Sequence, residues 1–99
     1  MTLRELLEDA AGDLGEVESA MAGDALEWRR SGQPFAVANG DTAEFRLDPL
    51  VAKAALRTPD TEASSRGPDW VRFSPRTLDG HAVDRAEAWL ASAWRRAGG

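Results

Sequence analysis

The segment from Ala25 to Leu47 constrains the fold of this chain more than any other. Apolar and polar residues alternate through it in three runs, which is the period of a β-strand with one buried face. The runs are separated by Ser31-Gly32 and by Asn39-Gly40-Asp41, whose residue types accept the positive φ of tight hairpin turns. The sequence therefore predicts a three-stranded antiparallel meander.

The same alternation assigns the two faces of the meander. Leu26 and Trp28 point to one side of their strand, and Glu27 and Arg29 point to the other. Pro34 stands at the start of the second strand, where its missing N–H is tolerated. The residues predicted to face inward are Leu26, Trp28, Phe35, Val37, Ala43, Phe45 and Leu47, and those predicted to face outward include Arg29, Thr42, Glu44 and Arg46.

Helices are predicted on both sides of the meander. Thr2 and Glu5 fit a capping box, and the leucines and alanines that follow recur at helical spacing. Asp48-Pro49 fits the start of a second helix, with Asp as the cap and Pro in the first turn. Thr58-Pro59 ends this helix, because the residue before a proline avoids helical geometry.

The remaining segments complete the predicted order of elements. Residues 58–69 are polar, without periodicity, and are predicted to form a long loop that is either mobile or functional. Trp70–Phe73 is predicted to be a fourth strand, and Gly80–Ala97 a helix capped by Asp79. Residues 16–24 fit either an irregular connection or a short strand. The predicted fold class is α+β, an antiparallel sheet of about four strands with helices packed on one face, in the order α-β-β-β-α-β-α.

The composition limits the class of protein. The chain has 99 residues with 42% hydrophobic content, which fits a single domain over residues 1–99. It contains no cysteine, which excludes disulfides and thiolate metal sites and is typical of cytoplasmic proteins. The amino terminus is acidic rather than basic and apolar, and no run approaches the roughly 20 apolar residues of a membrane span. We therefore expect a cytoplasmic protein that does not enter a membrane.

The negative charge is concentrated at the amino terminus. Residues 1–24 contain seven acidic residues and one basic residue, whereas the formal net charge of the whole chain is −5. Residues 25–99 are therefore nearly neutral. An acidic flank of this kind disfavours nucleic-acid binding, because the affinity rises with each phosphate that a protein neutralises.

Five short segments, together with the order of the elements, form a recognisable pattern. They are Gly-Glu-Val-Glu at 15–18, Ser-Gly-Gln-Pro-Phe-Ala at 31–36, Glu-Phe-Arg-Leu-Asp-Pro at 44–49, Asp-Trp-Val-Arg-Phe at 69–73 and Ala-Trp-Leu-Ala-Ser-Ala-Trp at 88–94. This pattern resembles the MmcQ/YjbR-like family, whose members commonly carry lysine where Arg46 stands and Ser-Tyr where this chain has Ala93-Trp94. The resemblance implies an α+β fold similar to that of double-wing domains, for which DNA binding has been proposed.

Side chains that could carry catalysis are few. His81 is the only histidine, and with Asp79 and Asp84 it could serve as an acid–base or metal group, but the same residues fit an exposed first helical turn. Ser64 and Ser65 lie in the polar loop without a Gly-x-Ser-x-Gly motif, and no glycine-rich phosphate loop occurs. We therefore expect no enzyme, no metal site and no cofactor.

Two kinds of side chain could instead form a binding surface. Arginines of the outward sheet face and the polar loop could bind phosphate, or could be solvated residues paired with nearby acids. Four tryptophans could all serve the core, or could leave one or two for a protein partner. The arginines in question are Arg29, Arg30, Arg46, Arg66, Arg72 and Arg76, and the candidate binding surface is predicted at Arg29, Arg46, Arg66, Arg72 and Trp94.

The sequence thus favours a small cytoplasmic binding domain with a protein-interaction or regulatory role and no catalysis. Its partner is expected to be an unidentified protein, and its own state a monomer or a weak homodimer. The alternative is a DNA-binding protein that uses the basic side of the sheet and the 58–69 loop. A small-molecule pocket between the sheet and this loop has no support from individual residues.

Overall fold

A six-stranded antiparallel sheet and three helices make up the fold in the computed structural model, which describes residues 1–99. The elements in chain order are α1 (Leu3–Gly12), β1 (Glu18–Ala22), β2 (Ala25–Arg30), β3 (Gln33–Asn39), β4 (Thr42–Arg46), α2 (Pro49–Ala55), β5 (Thr61–Ala63), β6 (Trp70–Phe73) and α3 (Gly80–Ala97). The strand order in the sheet is β1-β2-β3-β4-β6-β5. The α+β class is therefore confirmed.

The sheet has two more strands than the four that the sequence predicts. β1 pairs with β2, and β5 pairs with β6 within the segment predicted to be a loop. All five residues of β1 are exposed, and β5 has only three residues, so neither shows the alternation of a half-buried strand. Backbone hydrogen bonds to a neighbouring strand stabilise them, and a local hydrophobic pattern does not reveal such bonds. The predicted strand count and element order are wrong at these two places.

The two predicted turns of the meander are confirmed. Ser31, with φ 52°, and Gly32, with φ 78°, form the two-residue loop between β2 and β3. Gly40, with φ 62°, begins the loop between β3 and β4. Positive φ at both Ser31 and Gly32 is the type I′ geometry, and positive φ at Gly40 but not at Asp41 fits type II′; the twist of both types matches that of the flanking strands.

The second strand of the meander contains a β-bulge. The register shifts between Trp28 and Arg29, which pair with Ala36 and Pro34 respectively, so that Phe35 is an extra residue in the ladder. Phe35 and Ala36 are both fully buried in the same core cluster. Two consecutive side chains therefore serve one face of the sheet, as a bulge permits.

The bulge reverses the predicted orientation of Val37. Val37 pairs with Glu27 on β2 and with Glu44 on β4, on the face of the sheet opposite to Ala36. It is buried but does not belong to the main core cluster. The prediction that Val37 shares the inward face with Phe35 is therefore wrong, because one extra residue shifts the alternation of every residue after it.

The hydrophobic core lies between one face of the sheet and the helices. Trp89 of α3 packs edge-on against Phe73, with ring centroids 5.1 Å apart, and at a tilt against Phe45 at 6.2 Å. Aromatic pairs of this kind add about 0.5–1.5 kcal/mol beyond the area they bury. The other residues predicted to face inward are buried here as well, namely Leu26, Trp28, Phe35, Ala43 and Leu47. The helices cover one face, as predicted, and leave the other uncovered.

The helix starts follow the predicted caps. Thr2 Oγ1 accepts a hydrogen bond from the Glu5 N–H at 3.1 Å, and Glu5 Oε1 accepts one from the Thr2 N–H at 2.8 Å. Asp48 and Asp79 accept hydrogen bonds from backbone N–H groups in the first turns of α2 and α3. None of the three helices combines the length and the apolar character that crossing a membrane requires.

The capping box makes stability depend on the ionisation of Glu5. The pKa of Glu5 is lowered from its usual 4.5, first because the Thr2 backbone N–H donates to the carboxylate and second through the Thr2 side chain. Because the pKa of Glu5 is lower in the folded than in the unfolded protein, the ionised carboxylate stabilises the fold at pH values above the unfolded-state pKa. This stabilisation is lost as the pH falls through the folded-state pKa and the carboxylate becomes protonated. Between about pH 6 and about pH 3, we expect the wild type to lose more thermal stability than Glu5→Gln in circular-dichroism melting. An equal loss in the two proteins would contradict this coupling.

Candidate functional site

The face of the sheet that no helix covers, here called the open face, carries most of the predicted arginines. Cross-strand pairs place Glu27, Val37, Glu44, Arg72 and Glu62 in one row across the sheet. Acidic and basic side chains therefore lie beside one another along this row. The open face is a mixed surface rather than a basic one.

Three of the candidate arginines are paired with glutamates of the open face. Arg29 Nη2 lies 2.6 Å from a carboxylate oxygen of Glu27, and Arg66 forms an ion pair with Glu44. Arg72 Nη1 lies 3.6 Å from the glutamate carboxylate of β5. Each carboxylate lowers the positive potential that a phosphate would meet. The structure therefore brings these arginines to one face but neutralises them there.

Arg46 differs from the other open-face arginines because its side chain forms no hydrogen bond and no ion pair. It is partly buried and lies directly opposite Trp70 on the neighbouring strand. Both side chains line a groove of about 340 Å³ on the open face. A guanidinium with free donors can bind a carboxylate or a phosphate through two parallel hydrogen bonds. The other residues of this groove are Gln33, Pro34, Arg66, Gly67 and Pro68.

A second groove, of about 280 Å³, adjoins the first along Trp70 and lies against α2. Its apolar lining includes Val71 and Leu56, and Leu56 is 43% exposed. Gly67, Pro68 and Trp70 line both grooves and so form the ridge between them. We call this ridge with its two grooves the Trp70 surface, defined by Arg46, Leu56, Arg66, Pro68 and Trp70.

Hydrogen bonds hold the loop that carries this ridge. Ser64, a buried residue, donates through Oγ to Glu44 at 2.8 Å and accepts from the Arg66 N–H at 3.1 Å. The Trp70 N–H donates to the Gly67 carbonyl at 3.3 Å, and Gly67 has a φ of +148° that residues with a side chain rarely adopt. Hydrogen bonds therefore join the loop between β5 and β6 to β4 and to the start of β6.

Trp94, the remaining predicted surface residue, lines neither groove and contacts other parts of the protein. The Arg30 guanidinium lies 3.8 Å from the centroid of the Trp94 ring and donates to the Trp94 carbonyl at 3.0 Å. The indole Nε1 donates to the Gly15 carbonyl at 2.7 Å. These contacts join the end of α3 to β2 and to the segment after α1. Neither Arg30 nor Trp94 contributes to the open face; Arg76, also away from the grooves, pairs with Asp60.

The candidate catalytic side chains are not assembled into a site. His81 is exposed in the first turn of α3, as predicted, and Asp79 serves as the cap of that helix. The Ser64 hydroxyl is bound to Glu44 rather than to a histidine. No group of three or more His, Cys, Asp or Glu side chains is placed to hold a metal ion.

Sequence reasoning missed Leu56, Pro68 and Trp70 as parts of a surface. The alternation around Trp70 predicts a strand, but it does not show that the indole stays partly exposed, since that depends on how far the neighbouring loop covers it. One signal was present in the sequence. Two leucines, Leu50 and Leu56, stand at the start and just past the end of a seven-residue helix, which is too short to bury both; in the structure they are 78% and 43% exposed.

Comparison with known proteins supports the fold. No family model matches the chain, and no curated protein matches it. A crystal structure of a Pseudomonas syringae protein, a target of the Northeast Structural Genomics Consortium, has a TM-score of 0.70 to this chain at 12% sequence identity. The match covers 95% of this chain and 97% of that one. At this identity the likeness shows the fold alone, and membership of the MmcQ/YjbR-like family stays a prediction.

Proposed function

We propose that this protein is a non-catalytic binding domain whose Trp70 surface takes a segment of another protein with neighbouring apolar and acidic side chains. One observation supports this function above all: an apolar groove and a groove with an unpaired arginine meet at one partly exposed tryptophan. Tryptophan and arginine are enriched at the energetic centres of protein interfaces. The surface therefore has the residue types of a protein-binding site.

The charge of the Trp70 surface favours an acidic partner. No acidic side chain lines the groove of Arg46, and of its two arginines only Arg66 is paired, with Glu44, so Arg46 is free to pair with a carboxylate of the partner. The apolar groove contains Lys53, and its one acidic residue, Asp69, is paired with Arg96 at 3.2 Å. An acidic side chain beside an apolar one would complement both grooves at once.

DNA binding, the alternative that the sequence leaves open, has less support. Arg29, Arg66 and Arg72 are paired with glutamates, and the chain has a net charge of −5. Proteins bind a DNA duplex chiefly through many contacts to its phosphates. The phosphate backbone has no apolar group to fill the groove beside Leu56. Binding of DNA is an outcome that the experiment below distinguishes.

Peptide selection on the whole protein tests the proposed function. A phage-displayed library of random peptides, selected on the wild type and counter-selected on Arg46→Glu, is expected to enrich Asp or Glu close to an aliphatic or aromatic residue. Titration calorimetry with an enriched peptide should show that Arg46→Glu weakens binding by about tenfold or more, because a charge-assisted hydrogen-bonded pair contributes about 1.5–3 kcal/mol.

Arg29→Glu is the matched control for this experiment. The substitution makes the same charge change on the open face, but Arg29 lies outside both grooves. The affinity of Arg29→Glu for the enriched peptide should therefore stay within about twofold of that of the wild type. The proposed function is contradicted if the selection enriches basic peptides, or if no enriched peptide depends on Arg46 for binding. NMR shifts at Arg46, Arg66 and Arg72 on adding a short DNA duplex, weakening steeply with salt, would favour DNA binding instead.

A further inference from the structure

The first strand of the sheet, β1, is an edge without the usual protection against pairing. It lies at the end of the strand order, beside β2 alone, and all five of its residues are exposed. Edge strands commonly carry a proline, a lysine or a β-bulge that prevents pairing with another chain. β1 reads Glu-Ser-Ala-Met-Ala and pairs with β2 in a regular register, so it has none of these features. Its outer side therefore offers backbone hydrogen-bond groups to a further strand.

The hairpin turn decides which backbone groups of β1 face outward. Ala22 and Ala25 flank a two-residue loop, and the residues that flank such a loop exchange both backbone hydrogen bonds. Along an antiparallel ladder, hydrogen-bonded pairs alternate with pairs that are not hydrogen-bonded. The N–H and C=O groups of Ser19 and Met21 therefore point away from β2.

This pattern allows β1 to pair with β1 of a second copy of the chain. An antiparallel ladder centred on Ala20 uses the full length of both strands and sets Ser19 opposite Met21 of the second copy, so that outward-facing backbone groups meet. The small Ala20 side chains meet at the two-fold axis. Glu18 lies opposite Ala22 of the second copy, about 13 Å along the ladder from the second Glu18. This separation exceeds the Debye length of about 8 Å at physiological salt.

The helix side of this edge has an apolar groove. Its volume is about 320 Å³, and it lies between the second half of α1 and the hairpin of β1 and β2. Leu14 and Val17, both partly exposed, line it together with Ser19. Ser19 pairs with the buried Trp28, so its side chain is on the same side of the sheet as the helices. A side chain opposite Ser19 on a further strand therefore lies beside the groove.

Met21 of the second copy is the side chain that this register places there. Met21 pairs with the buried Leu26, so it is on the same side of the sheet as Ser19, yet it is 55% exposed. Its sulfur accepts a weak contact from Arg4 Nη2 at 3.8 Å. Burial of its apolar surface in the groove favours association, and the two-fold axis gives both copies the same contact.

We propose that this protein forms a homodimer through β1, in which the two sheets join into one and each Met21 packs in the groove of the other copy. The paired edge has five residues a side, against the roughly 20–30 a side of stable complexes, so the dimer is weak. The other edge, β5, has three residues, and a symmetric pair there sets Glu62 opposite Glu62. Three strands separate β1 from the strand of Trp70, so the dimer leaves the Trp70 surface free.

Sedimentation equilibrium of the whole protein tests the dimer. We expect monomers at about 10 µM and dimers at about 1 mM, as for a small interface. Association should be tighter at about 0.15 M than at about 0.01 M ionic strength, because both copies carry a net charge of −5. Ser19→Pro should abolish the dimer, since it removes an outward N–H and no bond to β2. Met21→Ala should weaken it by about fivefold or more, and it decides the question if Ser19→Pro does not fold.

Leu50→Ala is the matched control for Met21→Ala. It truncates an apolar side chain that is 78% exposed on α2, so its dimerisation should stay within about twofold of the wild type. Amide hydrogen exchange locates the contact: the N–H groups of Ser19 and Met21 should slow the most between about 0.05 mM and about 1 mM protein. A monomer at about 1 mM, an assembly larger than a dimer, or a dimer that Met21→Ala leaves unchanged overturns the proposal.

Discussion

Phe35→Ala is expected to lower the free energy of unfolding by about 3–5 kcal/mol, whereas Val37→Thr is expected to lower it by less than about 1 kcal/mol. Phe35 is fully buried in the core, so its truncation removes apolar contacts and leaves a cavity. Val37 faces the open side of the sheet between Glu27 and Glu44, where a threonine hydroxyl can donate to a carboxylate.

Urea unfolding of the two variants measures this difference. If β3 alternated without a bulge, a threonine at Val37 would place a hydroxyl in the core, at a cost of about 1–3 kcal/mol. A loss of stability in Val37→Thr that approaches that of Phe35→Ala would therefore contradict the bulge. A small loss in Val37→Thr, with an unchanged dependence on urea concentration, supports it.

Trp94→Ala is expected to lower the free energy of unfolding by about 3 kcal/mol, although the indole is only partly buried. The substitution removes the ring beneath the Arg30 guanidinium and the hydrogen bond from Nε1 to the Gly15 carbonyl. It also loosens the bond from Arg30 to the Trp94 carbonyl, which satisfies a backbone acceptor near the end of α3. Trp94→Phe keeps the stacking and should lower stability by only about 1 kcal/mol.

A double-mutant cycle with Arg30→Ala measures the contact itself. Because the two side chains touch, we expect their effects on the free energy of unfolding to be non-additive by about 1 kcal/mol. Additivity within about 0.3–0.5 kcal/mol would show that the stack contributes nothing. A Trp94→Ala protein of wild-type stability would return this residue to the candidates for a partner surface.

Local features of the fold could be predicted because their causes are local. Hydrogen bonds within four residues define the capping box of Thr2 and Glu5, and the turn at Ser31-Gly32 depends on the φ of two residues. β5 could not be predicted, and for β1 the sequence left a short strand and an irregular connection open, since the residues of both strands are mostly exposed and pairing with β2 and β6 orders them. The bulge at Phe35 was also out of reach, because it depends on the register between two strands.

The arrangement of the predicted surface residues could not be read from the sequence. Arg29, Arg66 and Arg72 lie on the open face together with Arg46, yet only Arg46 has no acidic partner. The partner of Arg66 is 22 residues away in the sequence, so the pair exists only once β4 and the loop before β6 are in place. The same folding step places Trp70 opposite Arg46.

The sequence by itself determined the helix starts, the tight turns and, Val37 excepted, the inward residues of the meander, because capping, φ preference and hydrophobic period act over a few residues. Only the tertiary structure decided which charges are neutralised and which tryptophans are enclosed. Trp94 stacks under Arg30, whereas Trp70 stays between two grooves. The physical reason is that strand register and helix packing set the distances between residues far apart in sequence, and those distances decide each pairing.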